Sequence, residues 1–198
     1  MIEIHIPYAE DGNLGAAYNR ILNWAVEPWV LFLDHDVFLR LNPHWYYLCC
    51  KAIERRPSTG IFTTWTNRTF ANPQTQLVPS QFGNYQSNNI DTHRSIARSV
   101  FEFYRYELIQ VDKPITGMFM LINVKAVDGV RFDNGFFGID HKFCNDVLRT
   151  NLHINLIAGL YVYHLLDRNE ENWIAGQKTS NQLYKERSHV GCREDSSS

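Results

Sequence analysis

The chain has 198 residues, 44 % of them hydrophobic, which is enough for one domain with a substantial core. Its 19 basic and 21 acidic residues leave a formal charge of −2, so no overall electrostatic pull toward nucleic acid or anionic lipid exists. No apolar run is long enough to span a bilayer and no N-terminal run has the layout of a secretory signal, so a soluble, cytoplasmic protein without a transmembrane segment is expected.

In chain order, Ile2, Ile4 and Ile6 alternate with Glu3 and His5, which predicts a short strand ending at Pro7. Asn13 can cap a helix in which Leu14, Ala17, Tyr18, Ile21, Leu22 and Ala25 follow helical spacing. The unbroken apolar run Trp29 to Leu33 then predicts a buried central strand, closing a right-handed β-α-β unit. It stops abruptly in Asp34-His35-Asp36. If the extended geometry continues past Leu33, Asp34 and Asp36 point the same way, and two such carboxylates repel unless a cation sits between them. Oxygen ligands of this kind suit Mg²⁺ or Mn²⁺ beside a phosphate. The other reading of the tripeptide is a solvated strand end with two surface acids. His35 is expected on the opposite face and is not assigned to the metal.

Further along, Asn42-Pro43 predicts a cap and a first helical residue, and Trp45, Leu48, Cys49, Ala52 and Ile53 mark the helix up to Arg55-Arg56-Pro57. A strand is expected over Gly60 to Trp65, and the polar stretch Thr66 to Asn89 reads as one long loop. Ile96, Val100, Phe103, Tyr104 and Leu108 predict a single helix from Asp91 to about Gln110. Met118 to Ile122 is another apolar strand, Arg131 to Gly138 a loop rich in Gly and Phe, and Asp140 opens a helix carrying Phe143, Val147 and Leu148. The last strand is expected over Ile154 to Leu166, with Tyr163-His164 near its end, followed by a polar helical tail over Asn169 to Lys185. Residues 1–190 are read as a single domain and 191–198 as a disordered tail. Cys49, Cys50, Cys144 and Cys192 lack Cys-x-x-Cys spacing and are expected to be reduced and structural. Asn67-Arg68-Thr69 fits a glycosylation sequon, read here as a chance match in a chain without a secretory signal.

Five of these segments, in order, resemble the GT-A-fold glycosyltransferases, especially the inverting family 2 enzymes. Asn13-Leu14-Gly15-Ala16-Ala17-Tyr18-Asn19 resembles that family's Asn-x-Gly...Asn helix start, and Phe32-Leu33-Asp34-His35-Asp36 its metal-binding Asp-x-Asp. Thr116-Gly117-Met118-Phe119-Met120 resembles the turn and strand bordering the acceptor site. Phe137-Gly138-Ile139-Asp140 resembles the Phe-Gly-Glu-Asp segment with the catalytic base, and Val162-Tyr163-His164 the late strand whose histidine completes the metal site. The resemblance implies an α/β, Rossmann-like fold with a mixed, mainly parallel sheet flanked by helices. It implies a metal-dependent glycosyltransferase of hexosyltransferase type, passing a sugar from a nucleoside diphosphate sugar, UDP favoured, to a carbohydrate or other hydroxyl acceptor with inversion. Asp34, Asp36 and His164 would hold Mn²⁺ or Mg²⁺, Asp140 would be the general base, and Asn13, Gly15, Asn19 and Asp34 would face the nucleotide.

This chain departs from the family in two places. Only Ile2 to Tyr8 precedes the Asn13 helix, so one β-α unit of the nucleotide half is missing, and Pro7 and Tyr8 become the candidates for contacting the base. Ile139 stands where the family has Glu, leaving Asp140 alone in the motif. Trp65, Phe136 and Phe137 offer either core packing or a platform for a sugar ring. A shortened domain also predicts self-association to cover its open side. Two rival functions are a haloacid-dehalogenase-like phosphatase, with Asp34 as nucleophile and Asp36 as acid/base, and a non-catalytic domain that binds a sugar, nucleotide or partner.

Overall fold

The computed structural model describes residues 1–69 and 73–165. Leu166, the helix expected over 169–185, the tail over 191–198 and Cys192 lie outside the described residues, as do positions 70–72 of the long loop.

Strand β1 (Ile2–His5) pairs in parallel with β2 (Trp29–Leu33), and α1 (Leu14–Trp24) connects them. Asn13 caps α1, its Oδ1 accepting from Ala16 N at 3.1 Å. Glu3 ties the turn before β2 to β1, because its Oε1 accepts from Val26 N at 2.5 Å and Glu27 N at 2.6 Å. Every residue of β2 is buried, and its side chains alternate between two cores. Val30 and Phe32 pack with residues of α1, α4 (Ile90–Tyr104) and α5 (Ile139–Arg149), while Trp29, Leu31 and Leu33 pack with Leu48, Cys49 and Ala52 of α2 (Trp45–Arg55).

Beyond β2 lies β6 (Phe119–Asn123), antiparallel both to β2 and to β4 (Ile61–Thr66), and β4 pairs in parallel with β7 (Ile154–His164). Two short strands share the outer edge of β7: β5 (Leu108–Val111) at Ile154 to Ile157, and β3 (Val37–Phe38) at Tyr163 and His164. The sheet order is β1-β2-β6-β4-β7-β3, with β5 beside β7. Strands β1, β2, β4 and β7 run one way and β3, β5 and β6 the other. The chain is therefore a mixed α/β protein with an open sheet between helical layers, as expected at that level. Residues Met1–His164 pack as one unit.

Strand β7 is the long organiser of the site side. Its register with β4 jumps from Thr64↔Ile157 to Trp65↔Tyr161, so Ala158, Gly159 and Leu160 loop out. All three carbonyls are met by side chains: Trp65 Nε1 donates to Ala158 O at 2.9 Å, Asn42 Nδ2 to Gly159 O at 3.3 Å, and Thr64 Oγ1 to Leu160 O at 2.5 Å. Gly159 is required because a Cβ there would lie 1.8 Å from the Arg105 carbonyl oxygen. The insertion reverses the alternation of the strand. Ile154 and Leu156 face the α1/α4/α5 core before it, and Tyr161 and Tyr163 do so after it, which turns His164 to the face of Val162.

Three expectations are corrected. The helix predicted from Asp91 to Gln110 stops at Tyr104, because Arg105 adopts φ 46° and the chain turns into β5, satisfying the outer edge of β7. Helix α2 begins at Trp45 rather than Pro43, since Asn42 is drawn inward to Gly159 and its Oδ1 accepts from His44 N at 2.9 Å. The stretch read as an unstructured loop contains a helical turn, α3 (Pro73–Gln76), and the buried residues Gln76 and Val78.

Candidate metal centre

β2 and β7 run the same way, so the residues that follow Leu33 and those that end β7 meet at the carboxyl edge of the sheet, where open α/β sheets bind ligands. Asp34 N donates to Met118 O at 3.2 Å and Val37 N to Asp34 O at 3.2 Å, so the chain turns at Asp34. The expected extended geometry through Asp36 is thus replaced by a turn between β2 and β3. Convergence of the two carboxylates comes from that turn and not from strand alternation. Pairing of Val37 with His164 then fixes Asp36 against the end of β7.

Asp34, Asp36 and His164 each offer one ligand atom, and these atoms lie within 4.8 Å of one another. His164 Nε2 is 3.2 Å from Asp36 Oδ1 and 3.9 Å from Asp34 Oδ2, with the imidazole 4 % exposed. Burial holds the Asp34 carboxyl above the usual range; the Asp36 and Asp140 carboxylates add to this and His164 opposes it. For Asp36 burial also acts upward, but the hydrogen bond and charge of His164 outweigh it and leave that carboxyl below the usual range. The two acids thus stand apart in proton affinity, which a shared cation would even out.

The donor set fits a divalent ion. Two carboxylates suit Mg²⁺ or Mn²⁺, and the imidazole nitrogen tips the choice toward Mn²⁺ or another ion that accepts nitrogen. The ring's other nitrogen, Nδ1, is buried with no hydrogen-bond partner among the described residues. A metal-bound histidine is usually oriented by such a bond. Here no such bond is made at Nδ1 among the described residues, and the ring's contacts are those of Nε2 with the two aspartates.

Asp140 lies in the first turn of α5, behind an N-cap at Gly138 whose φ of 68° is left-handed. Its Oδ2 accepts from Gly117 N at 2.7 Å and its Oδ1 from His141 N at 2.8 Å. Each carboxylate oxygen keeps a lone pair for a further proton donor. The Asp140 carboxylate is close enough to help raise the Asp34 carboxyl, and the buried phenol of Tyr18 sits near both. Burial first, then those two carboxylates, push the Tyr18 phenol above its usual value. Its ring is fixed at 4.5 Å from both Phe32 and Phe132.

The other expected nucleotide contacts, Asn13, Gly15, Asn19, Pro7 and Tyr8, have the following surroundings. Asn19 Nδ2 donates to Phe132 O at 2.8 Å and its Oδ1 accepts from Phe132 N at 2.9 Å, so its amide is taken up by the loop that leads to α5. Asn13 Oδ1 accepts from Gly135 N at 2.9 Å besides capping α1, and its Nδ2 donates to Asn134 Oδ1 at 3.3 Å. Gly15 N donates to Gly135 O at 3.0 Å, and a Cβ on Gly15 would lie 1.8 Å from Asp133 O. Asn13, Gly15 and Asn19, three of the residues expected to face a nucleotide, thereby hold Phe132, Asn134 and Gly135 of the loop that leads to α5. Pro7 and Tyr8 follow β1 at the same edge of the sheet, with Tyr8 75 % exposed. Phe136 and Phe137 are half-exposed and in edge contact, whereas Trp65 is core, its indole bound to the bulge of β7.

Sequence reasoning passed over Asn67 and Gln76. Asn67, 4 % exposed, bonds His164 through both ends of its amide, so it is no accessible glycosylation site. Gln76, 1 % exposed, does the same to Thr116, next to the Gly117 amide that holds Asp140. Nothing in a polar, aperiodic stretch distinguishes a buried amide from a solvated one. No family model and no curated protein matches the chain. Among the described residues no helix is long and apolar enough to cross a membrane.

Proposed function

We propose that the protein is a metal-dependent glycosyltransferase of GT-A type, using a nucleoside diphosphate sugar as donor and a hydroxyl group as acceptor. The observation that carries this reading is the meeting of Asp34, Asp36 and His164 at the carboxyl edge, with Asp140 on the neighbouring helix start near Asp34. It agrees with the order of motifs that resemble family 2 enzymes, with Mn²⁺ favoured by the nitrogen ligand. When bound, the ion would supply Lewis-acid stabilisation of the leaving diphosphate.

The chain's own residues divide the remaining work. Asp36 and His164 form the inner side of the ligand set, and Asp34 stands on its more exposed side, where it can also meet the donor. Asp140, held by the Gly117 and His141 amides, is fixed to take the proton of an attacking hydroxyl as general base. A base on one side of the sugar and the diphosphate on the other predicts inversion. Tyr8 is the exposed ring available to a nucleobase, and Phe136 with Phe137 an apolar surface for a sugar.

The test is a thermal-melt titration with UDP, GDP and their sugars, with and without Mn²⁺, on the full chain. A ligand bound by the native state raises the melting temperature by mass action, by about 2.7 kcal/mol of stability at one hundred times Kd. A Mn²⁺-dependent shift that Asp36→Ala removes is the expected result. A cooperative melt indifferent to every nucleotide, with phosphate release from a simple phosphoester, would instead favour Asp34 as a phosphatase nucleophile.

A further inference from the structure

His164 ends β7, and the main-chain ladder between β4 and β7 has its last pair at Thr66↔Val162. On one side the backbone of His164 is held by Val37 of β3. On the other side no strand continues, and the side chain of Asn67 stands in its place. Its Oδ1 accepts from His164 N at 2.8 Å, its Nδ2 donates to His164 O at 3.3 Å, and Thr66 Oγ1 donates to the same Oδ1 at 3.4 Å. One planar amide thus supplies both bonds that a neighbouring strand would give.

We propose that Asn67 is the positioning residue of the metal centre, fixing the His164 imidazole against Asp34 and Asp36 through the histidine's backbone. This rests on the metal reading above. Two observations make the dependence acute. The His164 ring has no partner at Nδ1 among the described residues, so its ring contacts are those of Nε2 with Asp36 and Asp34, the two residues that would share the ion with it. The bulge at Ala158 to Leu160 leaves Tyr161 to His164 in a register of their own, so packing before the bulge does not dictate where His164 ends. Asn67 and His164 are both 4 % exposed, and a lost amide bond there is not replaced by solvent. Asn67 itself touches no ion; it acts through His164.

The experiment is calorimetric titration of the full-length protein with MnCl₂, comparing wild type, His164→Ala, Asn67→Ala and Asn155→Ala, with melting temperatures measured in parallel. Asn155 is a buried amide at the opposite end of β7, bound to Thr59 Oγ1 at 2.8 Å, and serves to separate stability from position. Asn67→Ala is expected to weaken Mn²⁺ binding about 10- to 100-fold, the range for lost support of a metal ligand. Asn155→Ala, at a distant site, is expected to stay within about threefold of wild type. Equal losses in the two variants, following their melting temperatures, would overturn the proposal, as would unchanged binding in Asn67→Ala when His164→Ala has lost it. Absence of Mn²⁺ binding in wild type, or binding that His164→Ala leaves intact, would overturn the metal reading itself. Should Asn67→Ala not fold, Thr66→Val removes only the hydroxyl that steadies the amide and is expected to weaken binding about threefold; no change would count against the proposal.

Discussion

At the scale of single residues, side-chain amides and carboxylates here do the work of backbone. Asn19, Asn67 and Gln76 each pair with both main-chain groups of one residue, and those residues are Phe132, His164 and Thr116. Glu3 does a related service where the chain passes from α1 into β2. The amides of Glu27 and Val26 and the nearby His5 hold its carboxyl below the usual range, the Glu27 bond contributing most. Because the folded value is depressed, the stability it gives is complete above the unfolded value of about 4.3 and is lost as pH falls through the folded value. Melts at stepped pH should therefore show a decline below about pH 4.3 that is smaller in Glu3→Gln, with that variant less stable at neutral pH by about 1 kcal/mol. An equal decline in both proteins would assign the acid sensitivity elsewhere.

At the scale of elements, the bulge of β7 is where sequence and tertiary structure part company. Trp29 to Leu33, the Asn13 cap and the run Ile154 to His164 are legible from the sequence, since burial and capping act on neighbouring residues. The turn at Asp34, the end of α4 at Arg105 and the looping out of Ala158 to Leu160 are not, because each is decided by a partner distant in the chain. Tyr104 and Leu108 keep helical spacing straight through the break, and Arg105 takes a positive φ with no glycine to announce it. The candidate metal-holding residues Asp34, Asp36 and His164 were legible as residue types, and their convergence required the pairing of Val37 with His164. The bulge can be tested directly. Gly159→Ala brings a methyl onto the Arg105 carbonyl and should cost about 3 kcal/mol. Trp65→Phe, which keeps an aromatic ring but loses the pyrrole part of the indole and leaves the Ala158 carbonyl without its donor, should cost about 1 to 3 kcal/mol. Urea melts that place Gly159→Ala within 0.5 kcal/mol of wild type, about the usual reach of a harmless surface change, would mean the bulge yields freely.

At the scale of the whole molecule, the sheet is unevenly protected. β2 is buried along its whole length between β1 and β6, whereas among the described residues β1 is paired only with β2; it exposes Ile4, and Ile6 just beyond it is exposed too. Amide hydrogen exchange should be slowest in β2, β6 and β4 and faster in β1 by several orders of magnitude, as expected when an edge opens without the core. Comparable protection at increasing protein concentration would signal that β1 is covered by another chain. The clamp on His164 also bears on how the protein is made. Asn67-Arg68-Thr69 is a legitimate acceptor for an oligosaccharide in a secretory host, which modifies chains before they fold. A glycan attached there would occupy the amide that the folded chain gives to His164, so secreted material would lose the two bonds that hold the backbone of this candidate ligand while cytosolic material would keep them. Recombinant protein from the two compartments should differ in mass at Asn67 and in its capacity for Mn²⁺.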